Sequence, residues 1–244
     1  MIHRDIFNKL LGLANQVPVV TVIGPRQSGK TTLVKHCFPE YNYVNLEDPV
    51  HRMLAKEDYR GFFETYKEPV IIDEVHRVPE LLSAIQVMVD KDRGKNGRFI
   101  LTGSHQPRSQ RGIAQSLAGR TSMLTLLPLS MNELEEEGLL EELSADTLLI
   151  KGFMPELYRE GSREPVVYYR DYLNTYVEKD LREMLEIKNL DKFLRFLMLL
   201  AGRVGQVVSL SAMSGEVGGS STTLSEWLSV LEASYIVYRL KPYF

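Results

Sequence analysis

Apolar residues at Ile6, Leu10, Leu11 and Leu13 recur at helical spacing and predict an opening helix over Ile6 to Ala14. Pro18 interrupts that pattern. Val19 to Ile23 is then a run of β-branched residues ending in Gly24-Pro25, the mark of a buried strand that runs into a loop. Small polar residues open a helix over Thr31 to His36. Four more short apolar runs predict strands at Tyr41 to Leu46, Pro69 to Ile72, Arg98 to Leu101 and Ser122 to Leu127. Pro79 to Val89 reads as a helix with proline in its first turn. Strands separated by helices predict a parallel sheet covered on both faces.

The pattern changes at Ser130. From there to about Asn189 only helix signals occur, punctuated by Gly152-Phe153-Met154-Pro155 and by Glu164-Pro165. An acidic run (Glu133, Glu135, Glu136, Glu137, Glu141, Glu142) has no balancing lysine or arginine and is expected to be a solvated helix face. From Leu190 the chain predicts a helix to Ala201, a short helix near Ser211, a Gly218-Gly219 turn and a helix over Thr222 to Ala233. A strand over Tyr235 to Leu240 would then complete a helix-turn-helix with one wing. Three domains are expected, at 1–129, 130–189 and 190–244.

Composition narrows the classes. With 244 residues and 44% hydrophobic side chains the chain can bury a core. A net charge of −3 excludes a polycation that seeks nucleic acid or anionic lipid with its whole surface. Cys37 is the single cysteine, so no internal disulfide forms, which fits a reducing cytoplasm. No apolar h-region follows Met1-Ile2-His3-Arg4-Asp5, and no apolar run approaches the ~18 residues that span a bilayer. The expectation is a cytoplasmic protein that does not enter membranes.

The chemistry concentrates after the first strand. Gly24-Pro25-Arg26-Gln27-Ser28-Gly29-Lys30-Thr31 fits glycine, four residues, glycine, lysine, then serine or threonine, the pattern of a phosphate-binding loop. The glycines let successive N–H groups turn inward toward phosphate oxygens, and the helix that follows aims its positive end at the same place. Lys30 supplies a mobile point charge for the β- and γ-phosphates, the Thr31 hydroxyl suits Mg2+, and Thr32 is placed to meet the α-phosphate. Val70-Ile71-Ile72-Asp73-Glu74 is an apolar strand that delivers two carboxylates at its carboxyl end. Asp73 is the expected magnesium-side acid, acting through water, and Glu74 the candidate to polarise an attacking water. Ile100 to Ser104 ends in hydroxyl residues, of which Ser104 is the candidate for sensing the γ-phosphate. Arg120, in Ser116-Leu117-Ala118-Gly119-Arg120, is a candidate for stabilising charge on the transferring phosphoryl group. Lys91, Arg93, Lys95, Arg98, Arg108, Arg111 and Arg120 make this stretch locally basic, with Asp92 the one acid among them.

These motifs, in this order, resemble the AAA+ class of ATPases. The likeness is closest to prokaryotic ATP-binding proteins that pair an AAA domain with an uncharacterised C-terminal domain. It extends through Gly152-Phe153-Met154-Pro155-Glu156 and Tyr169-Arg170-Asp171-Tyr172, nearly the whole chain. The resemblance implies an α/β P-loop NTPase fold with a five-stranded sheet of AAA+ type, a helical lid from about Ser130 and a winged-helix-like segment at the end. It also implies that Arg120 acts in trans on a nucleotide held by a second copy in a homo-oligomer. Two departures stand out. Gln27 follows the turn of the loop and leaves the motif intact; the chain ends at Phe244 where family members continue, which leaves a truncated chain as one reading.

DNA binding is not favoured. The helix predicted over Thr222 to Ala233 carries Glu226 and Glu232 and no cation to meet phosphates. The leading expectation is an ATP- and Mg2+-dependent ATPase coupled to a conformational change. The alternatives are a nucleotide-dependent DNA-binding regulator with little turnover and a small-molecule kinase, the latter opposed by the paired acids. No Asn-Lys-x-Asp element for reading guanine follows the sheet, which favours ATP.

Overall fold

Five strands form where apolar runs end in small or polar residues: β1 (Val19–Gly24), β2 (Asn42–Asn45), β3 (Val70–Asp73), β4 (Phe99–Ser104) and β5 (Thr121–Thr125). The computed structural model describes residues 2–104, 116–141, 143–176 and 189–240. The strands lie in the order β2-β3-β4-β1-β5, and every neighbouring pair is parallel. Parallel neighbours need crossovers, and α1 (Phe7–Ala14), α2 (Lys30–Cys37), α3 (Pro49–Glu57), α4 (Tyr59–Thr65) and α5 (Glu80–Lys91) lie before and between the strands.

Two of these helices escape the hydrophobic pattern. α3 starts at Asp48, whose side chain accepts from the Val50 N–H, with Pro49 in the first helical position. α4 starts at Asp58, which accepts from the Gly61 N–H. Both are short, and each opens on an aspartate cap.

Alternation along each strand sorts side chains into two cores. Val70, Ile72, Phe99 and Leu101 face one way and pack with Ala55, Phe62, Leu81, Leu82 and Ile85. Val20, Val22, Ile71 and Ile100 face the other way and pack with Leu10, Leu33, Val34 and Cys37. Burial on both faces is why β1, β3 and β4 read as nearly continuous apolar runs.

The chain divides into two compact units, Met1–Pro165 and Val166–Phe244. In the first, the sheet is followed by α6 (Met131–Glu136), α7 (Ala145–Lys151) and a 3-10 turn (Pro155–Tyr158). The acidic run here is not wholly a solvated face. Glu133 is buried, 4% exposed; it forms a capping box with Ser130 and pairs with Arg4 at 2.9 Å. Glu142 lies outside the described residues.

The second unit contains α8 (Pro165–Tyr176), which begins at the boundary, then α9 (Leu190–Ala201), α10 (Leu210–Val217) and α11 (Ser221–Ala233). Asn189, Ser209 and Ser220 cap the last three, and Gly218 ends α10 in the left-handed region. Trp227 meets Phe193 edge-on at 5.3 Å between ring centres, and Met213, Leu224 and Leu231 are buried in the same unit. The strand expected over Tyr235 to Leu240 does not form. The N–H groups of Ile236 and Val237 both turn back to the Leu231 carbonyl and close α11, so they are not available to a strand ladder.

Candidate functional site

All five strands end on one edge of the sheet, and the phosphate-loop sequence leaves β1 there. Gly24 has φ +152°, and a Cβ at this position would sit 2.1 Å from the Leu126 carbonyl oxygen, so only glycine fits beside the strand-exit backbone. Gln27 adopts φ +61° within the turn, and Gly29 has φ +92° immediately before α2. Lys30 is 6% exposed. Its ammonium donates to the Pro25 carbonyl at 2.8 Å and to the Gly24 carbonyl at 3.2 Å. Burial pulls the Lys30 pKa below the ordinary lysine value, and the nearby Glu74 and Asp73 charges oppose that shift.

Strand parity brings the acid to the loop. β2 and β3 pair Asn45 with Asp73, and β3 and β4 pair Ile71 with Ile100. Asp73 and Thr102 therefore lie on the face that Ile71 and Ile100 share with α2. The Asp73 carboxylate, 3% exposed, gathers three hydroxyls: Thr31 at 2.9 Å, Tyr43 at 2.8 Å, and Thr102 in a short contact. Desolvation first, and then the bond to Asp73, raises the Tyr43 pKa. Thr102 in turn accepts from the Glu74 N–H at 3.2 Å.

Glu74 stands in the left-handed region at φ +56°, a conformation that costs on the order of 1 kcal/mol for a residue with a side chain. Nδ1 of His76 lies 3.0 Å from the Glu74 carboxylate, at ion-pair distance but outside hydrogen-bond angles. The His76 Nε2 is buried without a hydrogen-bond partner.

The structure thus brings Lys30, Thr31, Asp73 and Glu74 to one edge, around the loop from Gly24 to Thr32. Ser104 ends β4 on that edge, beside Gly24 in the register, while its side chain lies outside the described residues. Arg120 is elsewhere. It immediately precedes Thr121, which pairs with Val19 at the start of β1, so it lies at the opposite edge of the sheet from the loop. There it grips Asp90 with two bonds of 2.9 and 2.7 Å. The basic stretch is largely neutralised within the chain: Arg93 pairs with Asp90, Lys95 with Asp92 and Arg98 with Glu68. Arg108 and Arg111 lie outside the described residues.

Tyr43, Thr102 and His76 carry site contacts that sequence reasoning did not single out. Thr102 was legible only as one of several hydroxyls in its strand end. Tyr43 gave no motif, and only strand pairing places it at Asp73.

A glycine-bounded loop between strand and helix, facing a buried acid at the carboxyl edge of a parallel sheet, defines an α/β nucleotide-binding protein of the P-loop class. Residues 16–135 match the family model described as AAA domain, and residues 142–244 match one described as a domain of unknown function. The two matches lie in sequence, an AAA domain followed by a domain of unknown function, and together they take in most of the chain. An uncharacterized protein of Mycobacterium tuberculosis is 30% identical over 252 residues, covering 99% of this chain and 54% of its own length. An uncharacterized protein of Haemophilus influenzae is 23% identical over 281 residues, covering 100% of this chain and 67% of its own. The chain spans about half the length of the mycobacterial relatives it matches. Among solved structures, the Walker-type ATPase of Pyrococcus abyssi is similar with a TM-score of 0.61 and 14% identity, over 96% of this chain and 90% of that one. That likeness is one of fold. Among the described residues no helix is long and apolar enough to cross a membrane.

Proposed function

We propose that the chain is a magnesium-dependent ATPase that couples hydrolysis to a change of conformation. The observation that carries this reading is the 2.9 Å contact between the Thr31 hydroxyl and the Asp73 carboxylate, which joins the loop helix to the acid strand. An oxygen pair of this kind suits a small hard cation. No group of three or more His, Cys, Asp or Glu able to hold a metal occurs among the described residues, so the cation would share its shell with phosphate oxygens and water. Thr31 would ligate Mg2+ directly and Asp73 through water, and the ion would neutralise charge on the triphosphate oxygens.

In this reading the backbone of Gly24, Pro25, Arg26, Gln27, Ser28 and Gly29 cradles the phosphates. Lys30 exchanges its carbonyl partners for the β- and γ-phosphate oxygens, and Thr32 meets the α-phosphate. Glu74 takes a proton from the attacking water. Ser104 or Thr102 orients that water or the γ-phosphate. Arg120 would serve a nucleotide on a second copy, because it is remote from the loop of its own chain. Nothing in α11 favours the DNA-binding alternative, since its charged residues are Glu226 and Glu232.

Lys30→Ala tests the assignment. It is expected to abolish ATP binding, while Glu74→Gln keeps binding and lowers turnover by about a hundredfold or more. Unchanged turnover in Lys30→Ala would remove the loop from the mechanism.

A further inference from the structure

Arg4 is a buried cation three residues before α1, and it is 6% exposed. Its guanidinium makes four hydrogen bonds. Nη1 donates to the Ser28 carbonyl at 2.8 Å, Nη2 to the Leu127 and Pro128 carbonyls at 2.6 and 3.3 Å, and Nε to Glu133 at 2.9 Å. Glu133 also accepts from the backbone N–H groups of Asp5 and Ser130, so three donors meet its carboxylate. A buried ion pair is by itself a weak source of stability, because desolvation offsets most of its attraction. What distinguishes this one is its aim: three of the four bonds grip backbone carbonyls, and one of these belongs to the phosphate-binding loop.

That carbonyl matters because a trans peptide is planar, with its C=O and N–H directed oppositely. Holding the Ser28 oxygen toward Arg4 turns the Gly29 N–H away from the guanidinium. Gly29 lies directly over Arg4, whose Nη1 would be 3.5 Å from a Cβ built there. Gly29 lacks a Cβ to limit its torsions; the Leu33 N–H holds the Gly29 carbonyl at 2.9 Å, and Arg4 holds the Ser28 carbonyl that precedes it. We propose that Arg4 is a positioning residue for nucleotide binding: its fork, neutralised by Glu133, presets the Ser28–Gly29 peptide so that the Gly29 N–H serves the phosphate cradle. The same fork ties the loop to the exit of β5 and to the first turn of α6, so the loop's geometry and the start of the segment after the sheet are set together. This inference rests on the reading of Gly24 to Thr32 as a nucleotide site.

The test is calorimetric titration of the full chain with magnesium and a non-hydrolysable ATP analogue, reading dissociation constant and number of sites separately. Arg4→Lys keeps the charge beside Glu133 but loses the fork. It is expected to weaken binding about tenfold with the site number still near one. A merely structural role would lower the site number, through a misfolded fraction, and leave the dissociation constant unchanged; that result overturns the proposal. An unchanged constant with an unchanged site number overturns it as well. If Arg4→Lys does not fold, the neutral pair Arg4→Gln with Glu133→Gln reads the same quantities, with the same loss expected. Failure of both to fold makes Arg4 a folding element only and also overturns the proposal. Lys30→Ala runs alongside: full binding there defeats the nucleotide-site reading itself, whereas its loss together with normal binding in Arg4→Lys defeats only the role of Arg4.

Discussion

Tyr43 donates its phenolic proton to Asp73 at 2.8 Å, across the pair of strands that forms the edge of the sheet. Its ring lies under the Lys35 ammonium, 3.5 Å from the centroid, so the phenol is held at both its face and its tip. Tyr43→Phe keeps the ring and deletes the bond to the carboxylate. It is expected to cost about 1.5–3 kcal/mol of stability in urea unfolding, the usual range for a hydrogen bond to a charged group. A variant as stable as the unaltered chain would show that Asp73 is held by Thr31 and Thr102 without help.

His76 offers a test of how Glu74 is aimed. His76→Ala removes the group beside the Glu74 carboxylate without touching the loop. Nucleotide affinity is expected to stay within about twofold, while turnover falls about tenfold as the base loses its orientation. Single-turnover kinetics at saturating ATP separate the two effects.

Gly24 and Gly94 make a matched pair. Both have positive φ, but a Cβ at Gly24 meets the Leu126 oxygen at 2.1 Å, whereas nothing lies within 4 Å of one at Gly94. Gly94→Ala is expected to lose about 1 kcal/mol from backbone strain alone, and Gly24→Ala several times that, because the backbone at Leu126 must move. Thermal melts of the two variants read the difference.

Cys37 is a built-in reporter of the sheet's opening. Burial pushes its pKa up to about 12 from 9.0, so the native thiolate fraction near pH 8 is smaller by about a thousandfold. Alkylation followed by mass is expected to be negligible in the native chain and complete on unfolding. The stability effect has a definite sign. The folded-state pKa is raised, so this contribution is complete below the unfolded value near 9 and declines as pH rises from there toward 12.

In the second unit, both Leu231 and Trp227 are buried. Leu231→Ala is expected to cost about 2–5 kcal/mol. Trp227 fluorescence under urea reads this loss, because the chain's one tryptophan lies in Val166–Phe244.

The middle of the sheet was legible because β1, β3 and β4 are buried on both faces and so appear as compact apolar runs, whereas β2 and β5 are partly exposed. The loop, Asp73 and Glu74 were legible because their chemistry is local to two short segments. Glu133 was misjudged for the opposite reason. Its partner, Arg4, is distant in sequence, and nothing in an acidic run reveals which member will be drawn inward. Tyr43 stayed hidden because its role depends on the pairing of β2 with β3. The expected wing strand failed over where Ile236 and Val237 send their N–H groups, which side-chain pattern does not encode.

The alternation that divides the sheet's apolar residues into two cores also decides where Asp73 points. A single residue inserted or deleted within Val70–Asp73 would shift the strand's alternation, sending side chains to the opposite core and swinging the carboxylate to the face away from α2. Damage to the chemistry therefore comes bundled with damage to packing. In a library of single-codon deletions, this segment should yield unfolded chains rather than folded, inactive ones, so foldedness alone would proofread the acid's address.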